Sequence, residues 1–365
     1  AINPNDPDAH YNLGNAYAEL KKPREAVESY QSAIRLKPNF STARVNLGIA
    51  FKELGRVDLA IASYRNAIAA DPNNADALYN LANALEAEDL QDEAVECYRR
   101  AILLSPNHAR AHHNLGNALA KRGTTGEAID CYQRAVQLDP ENDAAKHMLA
   151  SLKGQITETA PPKYVRTLFD NCAEKFEERL VDQLSYKSPM EIRRAFDGFL
   201  KGGQRFVSMI DLGCGSGLAG QEFRGIADRQ TGIDIAPKMI EVARRKNVYD
   251  VLLTGDIVET LNRLDEKYDL FLATDVLVYI GNLRPLFGAV QAHALSGAYF
   301  AFSTESQEGQ EYALRPTGRY AHSFAYLQSL ANEYGFTVEY REPAVIRVEK
   351  GRNAMGDHVV MRYAR

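Results

Sequence analysis

The chain has 365 residues, 45% apolar and 25% charged, a globular balance that excludes a disordered polyelectrolyte or a small disulfide-stapled scaffold. Its 43 basic and 48 acidic residues give a net charge of −5 with no basic excess in either half, which argues against a nucleic-acid partner. Four scattered cysteines without C-x-x-C spacing point to reduced thiols and away from a metal site, and no apolar run approaches the roughly 20 residues of a membrane span. The expectation is a soluble, cytoplasmic protein of two or three domains, off the membrane, with its oligomeric state open.

The first half repeats every 34 residues. Leu13, Leu47, Leu81 and Leu115 are in phase, as are Ala26, Ala60, Ala94 and Ala128; Tyr30, Tyr64, Tyr98 and Tyr132; and Pro38, Pro72, Pro106 and Pro140. A small residue follows each leucine: Gly14, Gly48, Ala82 and Gly116. The pattern resembles the tetratricopeptide repeat, which implies two helices per unit stacked into an α-helical solenoid. Leu149 and Ala150 continue the phase, so a capping helix is expected over about Asp143–Lys153. Pro4 is in phase backward, as the tail of a preceding unit, and further repeats are expected before it.

Asn12, Asn46, Asn80 and Asn114 recur on the first helix of each unit, and Asn15, Asn83 and Asn117 follow three residues later on the same face, with Ile49 the exception. Two roles stand open for them. They line a concave groove and grip an extended peptide or protein, as the resemblance to the superhelix of O-linked N-acetylglucosamine transferase implies, or they satisfy polar groups between packed helices. Tyr11 and Asp76 stand where a carboxylate-clamping array would want cations. His108, His112 and His113 lack a carboxylate or thiol to complete a metal site, so structural roles are expected.

Gly154–Pro162 breaks the period and reads as a linker between an array at 1–153 and a second domain at 163–365. Strand-like segments then alternate with helical ones: Phe206–Asp211, Gln230–Asp234, Val251–Thr254, Tyr268–Thr274 and Ala298–Ser303, with Phe336–Arg341 and His358–Tyr363 as a closing antiparallel pair. This predicts an α/β, Rossmann-like domain with a mostly parallel seven-stranded sheet. The first strand runs into Asp211-Leu-Gly213-Cys-Gly215-Ser-Gly217, a turn whose glycines let the backbone press on a ligand. A dinucleotide site is the competing reading, but the spacing lacks the extra residue of G-x-G-x-x-G, and Asp234 and Asp256 end the next two strands.

Together these features resemble the class I S-adenosylmethionine-dependent methyltransferases. The resemblance implies S-adenosyl-L-methionine as cofactor. Gly213, Gly215 and Gly217 would pass beside its methionine portion, and Asp211 would anchor its ammonium directly or through water. Asp234 would accept from both ribose hydroxyls, with Ile235 and Met239 around the nucleoside; Asp256 would accept from the adenine amino group, with Ile257 on the ring. Thr274 and Asp275 would face the sulfonium. Tyr164–Tyr186 resembles the helical lid of small members, with Tyr164, Phe169 and Phe176 candidates to cover the cofactor. Fused to such repeats, the domain resembles a bacterial group of predicted methyltransferases whose acceptor is not defined.

His322 is the candidate catalytic base, since imidazole titrates near neutrality, with Tyr279 a second candidate near the sulfonium. No metal is implied. Ala273-Thr-Asp-Val276 replaces the N-P-P-Y signature of amino-group methylation, which weakens amide and DNA-adenine targets. The groove would bring a peptide, protein or carrier-bound substrate to the site; alternatively the enzyme methylates a small molecule and the repeats only dock a partner or mediate assembly.

Overall fold

The computed structural model describes residues 5–178, 180, 186–199, 205–349 and 351–364, and Pro4 lies outside them. The chain divides into two compact units, Ala1–Leu149 and Ala150–Arg365.

The first unit is built from helix pairs in chain order: α1 (Pro7–Glu19) with α2 (Pro23–Leu36), α3 (Ser41–Glu53) with α4 (Val57–Ala70), α5 (Ala75–Ala87) with α6 (Gln91–Leu104), and α7 (Ala109–Arg122) with α8 (Thr125–Leu138). The helix α9 (Asp143–Leu152) follows. Each repeat proline acts one residue early. Lys37, Asp71, Ser105 and Asp139, the residues before the prolines, leave the helical region with φ between −132° and −145°, as the proline ring demands of its predecessor. Tyr30, Tyr64, Tyr98 and Tyr132 are all buried between the helices of their pairs. Their rings explain the small residue after each leucine: a Cβ on Gly116 would stand 2.8 Å from the Tyr132 ring.

The histidines have local duties. His108 Nδ1 accepts from Ala111 N at the start of α7, His112 Nε2 meets the Pro106 carbonyl at 3.0 Å, and His113 lies edge-on to Tyr132.

The second unit opens with α10 (Pro162–Asp170), a 3-10 turn at Ala173–Lys175 and α11 (Ser188–Phe199). Its alternating core runs β1 (Phe206–Leu212), α12 (Leu218–Glu222), β2 (Ala227–Asp234), α13 (Pro237–Lys246), β3 (Val251–Thr254), α14 (Ile257–Leu261), β4 (Tyr268–Ala273), a 3-10 turn at Leu277–Tyr279, α15 (Arg284–His293) and β5 (Ala294–Ser306). It closes with β6 (Tyr312–Leu314), β7 (Tyr320–His322), α16 (Phe324–Tyr334), β8 (Phe336–Glu349) and β9 (Arg352–Tyr363). The strands β3-β2-β1-β4-β5 pair in parallel, and β9 then β8 add antiparallel beyond β5. The described residues thus hold the seven expected strands plus a hairpin, β6-β7, whose β7 pairs with the end of β5 through Glu305 and Ser306.

Both sheet faces are covered, as crossover helices require. Ile210, Phe271 and Phe300 pack with α15 and α16 on one side, while their strand neighbours Met209, Leu270 and Leu272 pack with Ile192, Phe196 and Phe223 on the other. Strand order reverses between β1 and β4, and the crevice at the carboxyl ends there is where such sheets take ligands. The segment read as a linker is tied to this unit. Glu158 O accepts from Gly281 N and Asn282 N at 2.8 Å, and Ala160 N donates to Tyr279 O at 2.9 Å.

Candidate active site

A cavity of about 150 Å³ opens at the carboxyl ends of β1, β2 and β4. Its floor is the glycine turn. Gly213, Gly215 and Gly217 have φ of +84°, +51° and +90°, a left-handed series that side chains resist. A Cβ on Gly215 would meet no atom nearer than Phe176 at 3.8 Å, so the turn's open side faces the cavity.

Asp234 locks this turn to the end of β2. Its Oδ2 accepts from Gly215 N at 2.9 Å and its Oδ1 from Ala236 N at 2.8 Å. Burial raises its pKa to about 6, the two N–H groups pulling the other way. Both oxygens retain acceptor capacity, since each carboxylate oxygen takes two hydrogen bonds. Ile235, Asp256 and Ile257 continue the wall, as do Thr274 and Asp275 beyond β4. Asp256 Oδ1 accepts from Val258 N and Glu259 N and so caps α14.

Other expected residues sit elsewhere. Asp211 lies fully buried beneath the turn and does not line the cavity; Tyr249 Oη donates to its Oδ2 at 2.6 Å, while Oδ1 has no partner among the described residues. Burial lifts the Asp211 pKa to about 7, and the nearby Asp234 charge adds to the rise. Gly217 and Met239 also stand outside the cavity lining, Met239 in a core with Ala173 and Ala236. Tyr164 packs beside Ala160 and Val278 and does not cover the cavity, whereas Phe169 and Phe176 line it. Part of the expected lid, residue 179 and residues 181–185, lies outside the described residues.

The candidate base requires correction. His322 is wholly buried in β7, its Nε2 facing the carbonyls of Ile280 and Gly281 at 2.8 and 3.2 Å and its Nδ1 at 2.7 Å from Thr304 Oγ1. A nitrogen facing two carbonyls carries the proton, so Nδ1 is the acceptor and neither nitrogen remains for a substrate. Burial pushes its pKa down to about 4. His322 therefore anchors the loop after β4. Tyr279, on that loop, does line the cavity, with Arg319 beside its hydroxyl and burial raising its pKa.

Three residues in or beside the site carry no signal in the sequence. Tyr249 is named above. Tyr186 lines the cavity with a buried hydroxyl that lacks a hydrogen-bond partner among the described residues. Arg347, 1% exposed, pairs with Asp275 Oδ1 at 2.6 Å and with Glu305. A register shift between Val345 and Arg347 breaks strand alternation, so Ile346 and Arg347 are both buried. Asp275 itself holds a left-handed φ of +58°, with its N–H donated to Ser303 Oγ at 2.8 Å.

In the first unit the asparagines brace neighbouring repeats. Asn15, Asn83 and Asn117 accept from Tyr30, Tyr98 and Tyr132 at 2.7–2.9 Å. Asn46 donates to Asn15 and Tyr11, and Asn114 to Asn83 and Tyr79. Asn80 donates to its own helix at Asp76 O, and Asn12 is exposed.

The sequence matches the family profile "Tetratricopeptide repeat" over residues 7–40 and 109–142, "TPR repeat" over 50–88 and 91–123, and "Methyltransferase domain" over 210–302. The chain joins tetratricopeptide repeats to a methyltransferase domain. Its methyltransferase domain is similar to a ubiquinone biosynthesis O-methyltransferase of Methylobacterium nodulans, 26% identical over 31% of this chain and 46% of that protein. It is also similar to a malonyl-[acyl-carrier protein] O-methyltransferase of Hamiltonella defensa, 29% identical over 26% of this chain and 37% of that protein. The chain thus spans less than half the length of these relatives. Among solved structures, MamA is similar at 27% identity over 38% of this chain and 81% of that one, with a TM-score of 0.36. No helix among the described residues is long and apolar enough to cross a membrane.

Proposed function

We propose that the protein is an S-adenosyl-L-methionine-dependent methyltransferase whose repeat groove recruits a peptide, protein or carrier-bound substrate. The observation that carries the reading is Asp234: a short carboxylate, fixed by two backbone N–H groups, beside a glycine turn on the cavity floor. The donor set fits the cofactor. Ser216 lines the cavity and its buried Oγ has no partner among the described residues, which suits a polar ligand over the turn. Asp234 would hold the ribose hydroxyls, Asp256 the adenine amino group and Ile235 with Ile257 the ring faces. Gly213, Gly215 and Gly217 with Asp211 beneath them would serve the methionine end, and Thr274 and Asp275 the sulfonium side.

When bound, S-adenosylmethionine supplies a methyl group already activated by its sulfonium. The chain has only to align the acceptor and exclude water. Phe169 and Phe176 wall the cavity, and Tyr279 with its neighbour Arg319 orients the acceptor. Both relatives are named O-methyltransferases, which favours an oxygen acceptor here. We assign the array to 1–153 and the catalytic domain to 163–365, joined by 154–162; the hydrogen bonds of Glu158 and Ala160 make that connector part of the cavity rim.

A methyl-labelled cofactor incubated with the full chain and size-fractionated cell extract tests the reading. Label is expected in the protein pool. Label confined to small molecules would favour the alternative, in which the repeats only dock a partner or mediate assembly, and label in neither would remove the activity.

A further inference from the structure

Two polar groups of the cavity wall have complementary needs that no described residue meets. Tyr186 is 6% exposed and lines the cavity, yet its buried hydroxyl has no hydrogen-bond partner among the described residues. The Thr274 and Ser188 hydroxyls approach it without closing a hydrogen bond. Burial, with the Asp275 charge next, raises its pKa well above the usual phenol value, so the hydroxyl keeps its proton and stands as a donor.

Asp275 supplies the opposite need. Its Oδ1 is taken by Arg347 at 2.6 Å, while its Oδ2 makes no hydrogen bond among the described residues, although Asp275 lines the cavity with its side chain 14% exposed. The backbone is fixed along with the carboxylate. A left-handed φ of +58° is uncommon for a residue other than glycine, and here the Ser303 hydroxyl holds the Asp275 N–H from one side as Arg347 holds Oδ1 from the other. Backbone held in such a state by its surroundings marks functional positions.

A donor and an acceptor facing one space are both satisfied by a neutral hydroxyl, which accepts at its oxygen and donates its hydrogen. A carboxylate satisfies only the donor. It also meets like charge, because the cavity lining carries Asp234, Asp256 and Asp275 and, among the described residues, no lysine, arginine or histidine.

We infer that Tyr186 and Asp275 form the acceptor subsite for a neutral hydroxyl, with Asp275 the catalytic base: Tyr186 Oη donates to the acceptor oxygen and Asp275 Oδ2 takes the acceptor's proton. The acceptor oxygen bonds to the methyl carbon as the carbon–sulfur bond breaks, and the electron pair of that bond stays on sulfur. A methyl ether, a neutral thioether and a protonated Asp275 result, and the proton passes to water when the product leaves. The inference rests on the methyltransferase reading given above; it adds the class of acceptor and the base that His322 cannot be.

The full chain is incubated with methyl-labelled S-adenosylmethionine and size-fractionated cell extract, and the labelled product is treated with mild alkali or with hydroiodic acid. Alkali frees the methyl of a carboxyl ester as methanol; the acid frees the methyl of an ether as methyl iodide and leaves methylated nitrogen and carbon intact. The label is expected to resist alkali and yield to acid. At saturating cofactor, Asp275→Asn should slow labelling at least about a hundredfold, the low end for general-base catalysis, and Tyr186→Phe at least about fivefold, the loss of one hydrogen bond. Calorimetric titration should show both variants binding S-adenosylmethionine within about tenfold of the wild type. Release by alkali, or retention through both treatments, would overturn the hydroxyl assignment and leave the methyltransferase reading standing. A smaller slowing by either variant, or cofactor affinity lost along with the rate, would overturn the subsite. Should Asp275→Asn fail to fold, as its melting curve will show, the label chemistry and Tyr186→Phe decide. A wild type that labels neither pool would overturn the methyltransferase reading and this inference with it.

Discussion

His322 and Asp211 illustrate how one physical term, burial, acts oppositely on a base and an acid. The folded imidazole titrates near pH 4 against an ordinary 6.5, so the unfolded chain takes its proton first as the pH falls. The stability it contributes is complete above pH 6.5 and is lost between about 6.5 and 4, a swing of about 3 kcal/mol. Asp211, raised to about 7, is protonated first in the folded state, so its contribution declines as the pH rises from about 4 to 7. The two slopes offset in the wild type. Urea unfolding of His322→Gln and Asp211→Asn across this range should separate them, the first variant losing the acid-side fall and the second part of the rise toward acid, the remainder of which belongs to Asp234. Arg347→Met is expected to cost about 2–3 kcal/mol, because it removes the buried cation that the partly buried Asp275 and Glu305 share. Neither residue's role was legible. Imidazole chemistry nominated His322 as a base, and only the carbonyls of Ile280 and Gly281 reveal its tautomer. Arg347 lies beyond the expected strand Phe336–Arg341, and the bulge that buries it is a pairing event with no local signature.

Elements set by local periodicity were legible, and those set by partners across the fold were not. The 34-residue phase located every helix pair, since each tyrosine needs its small neighbour within the same repeat. The positions of β1 to β5 followed from apolar runs; β3 matched at both ends, and one or both ends of the others shifted by one to four residues with neighbouring pairing. The three-residue strands β6 and β7 carry too little pattern to see; they exist because the end of β5 offers an edge. The ladder residues were found, but their partners were not, since Tyr98 and Asn114 meet Asn83 from 15 and 31 residues away. Asn83→Ala removes the acceptor from both and should lower array stability by about 1–2 kcal/mol, as read from the urea midpoint. The equivalent change at Asn12, which is exposed, should leave it within about 0.5 kcal/mol.

At the scale of the whole molecule, a tetratricopeptide array and a methyltransferase domain are carried on one chain, and the connector's Glu158 and Ala160 are hydrogen-bonded to the loop that bears Tyr279. Everything proposed for the acceptor depends on the cofactor being held where Asp234, Gly215 and Asp256 converge on one cavity. Calorimetric titration of S-adenosylmethionine into the full chain and into Asp234→Ala tests that dependence directly, with thermal melting to verify that the variant remains folded. The account predicts saturable binding by the wild type, weakened at least about a hundredfold in the variant, the scale for loss of a charged acceptor of two hydrogen bonds. Equal affinities, or no binding by the wild type, would contradict it.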